Sequence, residues 1–447
     1  MPDSAPPVRW LSARFERALV LEQPDPVLDA FLREQGLEVE RLPEEATADR
    51  AFILDRLRNG QHDVLFKRSR VVIDDEMLAA SERLAAVMIC AIGDDTVDKA
   101  ACARHGVMVM NDPVSNGRSV AEMVFGEMIV LARRLFTSHE AGRQHRWTKD
   151  ATRRYELKGK TISIIGLGNI GRQVAQMAEG FGMHVRFFDT NEVTREVGQA
   201  LGYTLSKTLL DAFREADVVT LHTSSEDVRG HSNAGLITYE HLAALGENRP
   251  EPSPRLLLNA ARGFLYDPDD LRRALDAGCV RGAAVDVFAD EPGSKADVWQ
   301  NPFAGDADVV TTPHIGAATV EAQPRIAAHM AGTTRLLNLY GTVRDTVFAP
   351  RQTIGVDAEP PSWGLAVVHS DVRGTRKAIA DALYDAGAST LQSAHRDFPR
   401  LGIAYDLSAI DAPLDHAHLA SLVERAQRLS GDATAIRSIR QFEIRHD

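Results

Sequence analysis

Cysteine is nearly absent from the 447-residue chain: only Cys90, Cys102 and Cys279 occur, an odd number, far apart and without CxxC spacing. A disulfide framework is thereby excluded and no zinc-type ligand spacing is present, so the thiols are expected as small buried hydrophobes and no metal site is assigned. No apolar run approaches the ~18 to 20 residues that a membrane span needs, and the start of the chain lacks the basic stretch and apolar core of a signal peptide. We therefore expect a cytoplasmic protein without a membrane partner. Excess positive charge is missing too, with 51 Lys and Arg against 63 Asp and Glu and a formal net charge of −12. Nucleic acid held by bulk charge is excluded, and any anionic ligand must rest on local arginines. No internal repeat or low-complexity tract is found. What is there, 44% hydrophobic and 26% charged residues, can bury a sizeable core in two or three domains.

Short apolar runs at 18–21, 63–66, 85–91 and 107–110 alternate with amphipathic stretches such as 26–35, the order of a parallel α/β sheet. One long helical pattern, 119–137, leads to a second alternating series with runs at 161–165, 184–188, 218–222, 256–259, 283–287 and 309–312. Two parallel-sheet domains in tandem fit better than one sheet, since single cores rarely pass ~250 to 300 residues. Between 346 and 361 the pattern dissolves into proline-rich sequence and reads as a linker. Residues 365–441 then give strand, helix, two strands, helix and strand, the ferredoxin-like βαββαβ plan. The fold class is thus α/β, with two flavodoxin- or Rossmann-like parallel-sheet domains and a ferredoxin-like tail.

Gly166-Leu167-Gly168-Asn169-Ile170-Gly171 follows the strand pattern at 161–165 and opens a helix. Backbone N–H groups at a helix start and glycines that allow close approach suit a dinucleotide pyrophosphate. Asp189, eighteen residues beyond Gly171, stands where an acid would hydrogen-bond the ribose 2′-hydroxyl and repel a 2′-phosphate, which favours NAD over NADP. A lone GxGxxG marks only a tight turn; strand before, helix after and acid on schedule reverse that reading.

Three later strand patterns run into loops bearing Arg262, Glu291 and His314. In a doubly wound sheet such loops share one crevice. An imidazole with a reference pKa near ~6.5 suits removal of an alcohol proton, a carboxylate would fix its tautomer, and a guanidinium would pair with a substrate carboxylate. Taken singly, each is weak, because a loop histidine is more often only solvated and Arg262 with Glu291 could be a surface ion pair.

Together with Asn-Ala-Ala-Arg-Gly at 259–263, Ala-Val-Asp-Val-Phe-Ala-Asp-Glu-Pro at 284–292 and Thr-Pro-His-Ile-Gly-Ala-Ala-Thr at 312–319, these motifs resemble the D-isomer-specific 2-hydroxyacid dehydrogenases. The tail resembles an ACT regulatory domain. The resemblance implies a discontinuous substrate domain (1–114 and 313–350), an NAD-binding domain (115–312), a linker (351–362) and an ACT-like domain (363–447). It gives Arg262 the substrate-binding role, Glu291 the histidine-orienting role and His314 the acid/base role. Around NAD it places Gly166, Gly168, Asn169, Ile170, Gly171, Asp189, His222, Ala260, Ala261, Arg262, Asp286, His314, Gly316 and Ala317. Around a small anionic 2-hydroxy or 2-oxo acid it places Arg68, Ser69, Arg70 and Gly93, with Trp147 and Lys149 reaching a neighbouring subunit of a homodimer or homotetramer. A buried scaffold tryptophan and a solvated basic loop are the bland alternatives at Trp147 and at 67–70.

The reaction implied is NAD-dependent oxidation of 3-phospho-D-glycerate to 3-phosphooxypyruvate, which opens serine biosynthesis. The alternatives are another D-2-hydroxy acid such as 2-hydroxyglutarate, or an NAD-sensing interaction protein. The chain departs from the family in four places. His222-Thr223-Ser224 replaces the common His-Val-Pro, residues 246–254 lengthen a surface loop, and Asp94 sits beside the expected substrate. Asp371 and Ser389 stand where serine-regulated relatives carry asparagine, so an amino-acid effector and a purely assembling tail both remain open.

Overall fold

The computed structural model describes residues 6–227, 229–292, 298–349 and 352–445. The chain forms two compact units, Met1–Pro113 with Gln323–Asp447, and Val114–Ala322.

The first unit opens with β1 (Arg9–Trp10), β2 (Arg17–Val20), β3 (Glu38–Arg41), β4 (Val64–Lys67), β5 (Ala86–Ile89) and β6 (Met108–Asn111). Five of these make an all-parallel sheet in the order β3-β2-β4-β5-β6, the flavodoxin-like arrangement. Its central strands are mostly apolar because both faces are covered; Val64, Leu65 and Phe66 are all buried. The edge strand β3, Glu-Val-Glu-Arg, has no apolar run and escaped the sequence pattern.

In the second unit, β7 (Thr161–Ile165), β8 (His184–Phe188), β9 (Thr204–Leu205), β10 (Val218–Leu221), β11 (Leu256–Asn259), β12 (Gly282–Val285) and β13 (Val309–Thr311) form a parallel sheet. Its order is β9-β8-β7-β10-β11-β12-β13, so the strand order reverses between β7 and β10, the switch point at which dinucleotides bind such sheets. The single helix expected at 119–137 is two, Gly117–Arg133 and Leu135–Arg143, parted at Arg134 with φ 53° and ψ 46°. The apolar periodicity carries on through Leu135 and Phe136, but these are exposed, and the Arg134 guanidinium turns to Asp308 at 3.5 Å.

The chain re-enters the first unit in the helix Ala322–Tyr340, followed by β14 (Val343–Arg344), which pairs with β15 (Thr353–Ile354). The expected linker therefore contains a paired strand; its first residue, Arg351, and neighbouring Pro350 lie outside the described residues. The tail follows as β16 (Ser362–Ser370), helix Thr375–Asp385, β17 (Thr390–Phe398), β18 (Ile403–Ile410), helix His416–Ser430 and β19 (Ile436–Ile444). Its sheet reads β1-β19-β16-β18-β17: the four tail strands are antiparallel in ferredoxin-like order, and β1, from the other end of the chain, pairs parallel to β19.

One face of this sheet packs on the two tail helices through Leu365, Val367, Ile379, Leu383 and Leu422. The other face, with Val368, Tyr405, Leu407 and Phe442, lies in one apolar cluster with Val20, Phe66, Met88, Met330 and Leu337. Arg440 fastens that contact. It is buried between the Phe15 and Phe442 rings, 4.2 and 4.5 Å from their centroids, and donates to the carbonyls of Ser12, Ala13, Leu337 and Asn338. The tail thus shares a core with the first parallel sheet. Cys90 and Cys102 are buried, their thiols pushed up to about 12 by burial, and Cys279 is half-buried. Among the described residues no helix is long and apolar enough to cross a membrane.

Candidate active site

The glycine-rich turn between β7 and the helix Asn169–Gly180 is built by exclusion of side chains. Gly166 has φ +93°, and a Cβ there would sit 2.6 Å from the His222 carbonyl oxygen; one on Gly171 would sit 2.2 Å from the Gly166 oxygen. Gly168 is the N-cap and supplies no side-chain cap, so the first turn, Asn169, Ile170 and Gly171, presents a helix N-terminus suited to an anion. Asp189, just beyond β8, accepts from the Leu167 N–H (2.9 Å) and the Asn191 N–H (2.8 Å), so the acid expected at the ribose also braces the turn.

His222 follows β10. Its Nε2 meets Thr220 Oγ1 at 2.9 Å, and burial drives its pKa down to about 3, so the ring is neutral. His222 Nδ1 and Thr223 Oγ1 are buried without a partner among the described residues. A barred Cβ, an uncapped helix start and unsatisfied polar atoms beside them fit a dinucleotide.

Arg262, Glu291 and His314 come together after β11, β12 and β13. His314 Nδ1 lies 2.7 Å from Glu291 Oε2, and Glu291 Oε1 accepts from the Phe288 N–H at 3.0 Å, which fixes the carboxylate. The Glu291 hydrogen bond raises the His314 pKa above its ordinary value, against burial and Arg262. Burial pushes the Glu291 carboxyl up, but His314 outweighs it and holds the acid below its usual range. Arg262 is half-buried and donates from Nη1 to the Ala261 carbonyl at 2.8 Å. Its loop is pinned by Asn259, which donates to the Arg262 carbonyl (2.9 Å) and accepts from the Ala261 N–H (3.0 Å). Gly263 permits close packing, since a Cβ there would lie 2.0 Å from the Phe288 carbonyl carbon. Ala260 and Ala261 complete this loop.

The His314 backbone has φ +53°, a left-handed conformation that costs a non-glycine residue energy. Asp286, buried at the end of β12, holds it there. The Asp286 carbonyl accepts from the His314 N–H (2.8 Å), Oδ1 from Ile315 N–H (2.8 Å) and Thr312 Oγ1 (2.6 Å), and Oδ2 from Gly316 N–H (2.9 Å). Asp286, expected to line the cofactor, is thus occupied in shaping the turn, which continues into half-buried Ala317.

Sequence reasoning missed Glu127. It lies on the buried face of the helix Gly117–Arg133, with Oε1 3.5 Å from Thr312 Oγ1 and Oε2 buried without a partner among the described residues. Burial, reinforced by Asp286, pushes its carboxyl up to about 8, so it is protonated at neutral pH. An acid amid the apolar positions Val124, Phe125 and Met128 is the signal that could have found it.

The expected substrate residues divide between the units. In the first, the loop after β4 is tied down by another missed acid, Glu22, buried beyond β2, whose carboxylate accepts from the N–H groups of Arg68, Arg70 and Val71. Arg68 is half-buried, Ser69 and Arg70 are exposed, and Arg70 Nη2 meets Glu44 at 3.4 Å. Lys67 is fully buried, donates to Thr96 Oγ1 and has its pKa lowered to about 8 by burial. Gly93 lies in the loop after β5, where Asp94 pairs with Lys99 at 2.9 Å, which offsets its negative charge. In the second unit Trp147 is 91% exposed, which rules out a buried scaffold role within this chain, and Lys149 beside it is exposed.

Residues 125–316 match the family described as D-isomer specific 2-hydroxyacid dehydrogenase, NAD binding domain. The D-3-phosphoglycerate dehydrogenase of Haemophilus influenzae is 38% identical over 242 residues, 54% of this chain and 56% of the relative. That of Escherichia coli is 36% identical over 233 residues, 51% of this chain and 52% of the relative. The chain thus aligns with about half the length of these curated relatives. A crystal structure of a Thermus thermophilus protein, 29% identical, superposes with a TM-score of 0.58 over 71% of this chain and 95% of that one. Residues 125–316 are thus similar to the NAD-binding domain of the D-isomer specific 2-hydroxyacid dehydrogenases.

Proposed function

We propose that the protein is an NAD-dependent dehydrogenase that oxidises 3-phospho-D-glycerate to 3-phosphooxypyruvate, the entry step of serine biosynthesis, in the cytoplasm. The observation that carries the reading is the 2.7 Å His314–Glu291 pair, with Arg262 in the adjoining loop, inside an NAD-binding domain. Bound NAD supplies the hydride acceptor. Glu291 takes the Nδ1 proton of His314 in a hydrogen bond, which leaves Nε2 to remove the proton of the 2-hydroxyl. The resulting imidazolium is stabilised by the same carboxylate, and in the reverse direction it returns the proton to the oxo group. Arg262 pairs with the substrate carboxylate and polarises the reacting oxygen. The uncapped start of the helix Asn169–Gly180 takes the pyrophosphate, and Asp189 takes the ribose.

In this reading the Arg68-Ser69-Arg70 loop and Gly93 hold the substrate's carboxylate and phosphate. Trp147 and Lys149, with the exposed Leu135 and Phe136, belong to contacts between subunits of a homodimer or homotetramer. The domain division into 1–114 with 313–350, 115–312 and 363–447 follows from the same assignment, and the ACT-like tail serves assembly or an amino-acid effector. One observation favours a second substrate. Arg70 is engaged by Glu44, so a phosphate would have to displace that acid, whereas a lone carboxylate such as that of 2-hydroxyglutarate needs only Arg68. Initial rates of NADH oxidation with 3-phosphooxypyruvate, 2-oxoglutarate, pyruvate, hydroxypyruvate and glyoxylate separate the cases. Preference for the phosphorylated acid is expected, preference for 2-oxoglutarate supports the second reading, and inactivity on all five refutes both and leaves an NAD-sensing protein.

A further inference from the structure

Three side chains of the tail sheet converge on one another from three neighbouring strands. In register, Asp406 on β18 lies opposite His395 on β17, while His369 sits near the end of β16, opposite Ala404 and two residues along β18 from Asp406. Asp406 Oδ2 is 2.6 Å from His369 Nε2 and 3.1 Å from His395 Nδ1, and the two rings stack with centroids 6.1 Å apart. The His369 side chain is 1% exposed, that of Asp406 10% and that of His395 25%.

The tautomer of His369 is constrained. Its Nδ1 is 2.8 Å from the Ser370 carbonyl oxygen, which can only accept, so the Nδ1 proton is fixed. Its Nε2 faces the Asp406 carboxylate at 2.6 Å, and the Arg376 guanidinium stands 3.6 Å from the same carboxylate. Two imidazole nitrogens and a carboxylate oxygen are the donor set that a divalent ion of the zinc type binds together. The three donor atoms lie within 4.8 Å of one another, and ligand bonds of ~2.0 to 2.2 Å need only small side-chain rotations from there. The Ser370 contact orients His369 as outer hydrogen bonds orient metal-ligating histidines, and the exposed side of His395 leaves room for water.

We propose that His369, His395 and Asp406 form a binding site for a divalent transition-metal ion of the zinc type, which cross-links β16, β17 and β18 within the tail sheet. Outer strand β17 is mostly exposed along its length, so the ion would supply a fastening there that apolar packing does not.

The test uses the untagged full chain stripped with a chelator, then titrated with Co²⁺ for its visible absorption and with Zn²⁺ in competition with a chromophoric chelator. One ion per chain is expected, with a rise in melting temperature on Zn²⁺ addition. His395→Ala, at the most exposed ligand, should keep the fold by circular dichroism and weaken binding at least about tenfold, the lower end of what even outer partners of metal ligands contribute. Asp406→Asn should do the same. Failure of the wild-type chain to bind either ion, or a loss below that threshold in a folded His395→Ala, overturns the proposal.

Discussion

Glu127→Gln isolates a buried acid whose cost can be worked from the structure. The carboxyl is raised from 4.5 to about 8, mainly by burial and further by Asp286, and glutamine copies its neutral form. At about 1.4 kcal/mol per pH unit, the shift corresponds to a stability difference on the order of 5 kcal/mol between the two ends of that window. The folded-state pKa lies above the unfolded one, so the favourable contribution is complete below pH 4.5 and is lost as pH rises through about 8. Calorimetric melting of both proteins from pH 5 to 9 should show the wild type falling relative to the variant by on the order of 10 °C, at ~2 to 4 °C per kcal/mol for a domain of this size. Parallel curves across that range would refute the assignment of Glu127 as a buried acid under the His314 turn.

Three other outcomes are expected. Asp189→Ala should weaken NAD binding and relax discrimination against NADP in paired titrations, and it should lower stability through the two backbone contacts it removes; unchanged cofactor preference would take Asp189 off the ribose. Glu291→Gln removes the interaction that raises the His314 pKa, so the limb of the oxidation rate that climbs as the imidazole deprotonates should move to lower pH; an unmoved limb would contradict the pairing. Arg440→Met leaves several buried carbonyls unpaired and should lower the unfolding free energy in urea by on the order of 3 kcal/mol, whereas an unchanged midpoint would contradict the shared core of tail and first sheet.

What the sequence disclosed was local. The glycines at 166, 168 and 171, the strand before them and Asp189 announce a dinucleotide turn because each acts within one βαβ unit. The loops carrying Arg262, Glu291 and His314 were readable because a doubly wound sheet delivers every strand end to one side. What stayed hidden depends on distant partners. Arg9 and Trp10 form a strand only because β19, at the opposite end of the chain, offers an edge. Apolar periodicity runs through Arg134 without revealing that the packed face ends there. Glu22 and Glu127 look like solvated acids until their surroundings are known. His369, His395 and Asp406 come from three strands with no motif spacing, so only strand register brings them together.

The most direct test of the account is the comparison of wild type and His314→Ala in NADH-dependent reduction of the preferred 2-oxo acid, alongside NADH binding by fluorescence. Loss of turnover by about 10²- to 10⁴-fold with unaltered NADH affinity is predicted, because in the proposed reaction the imidazole acts on the substrate oxygen and the glycine-rich turn holds the dinucleotide. Turnover that survives the substitution would contradict the role given to the His314–Glu291 pair.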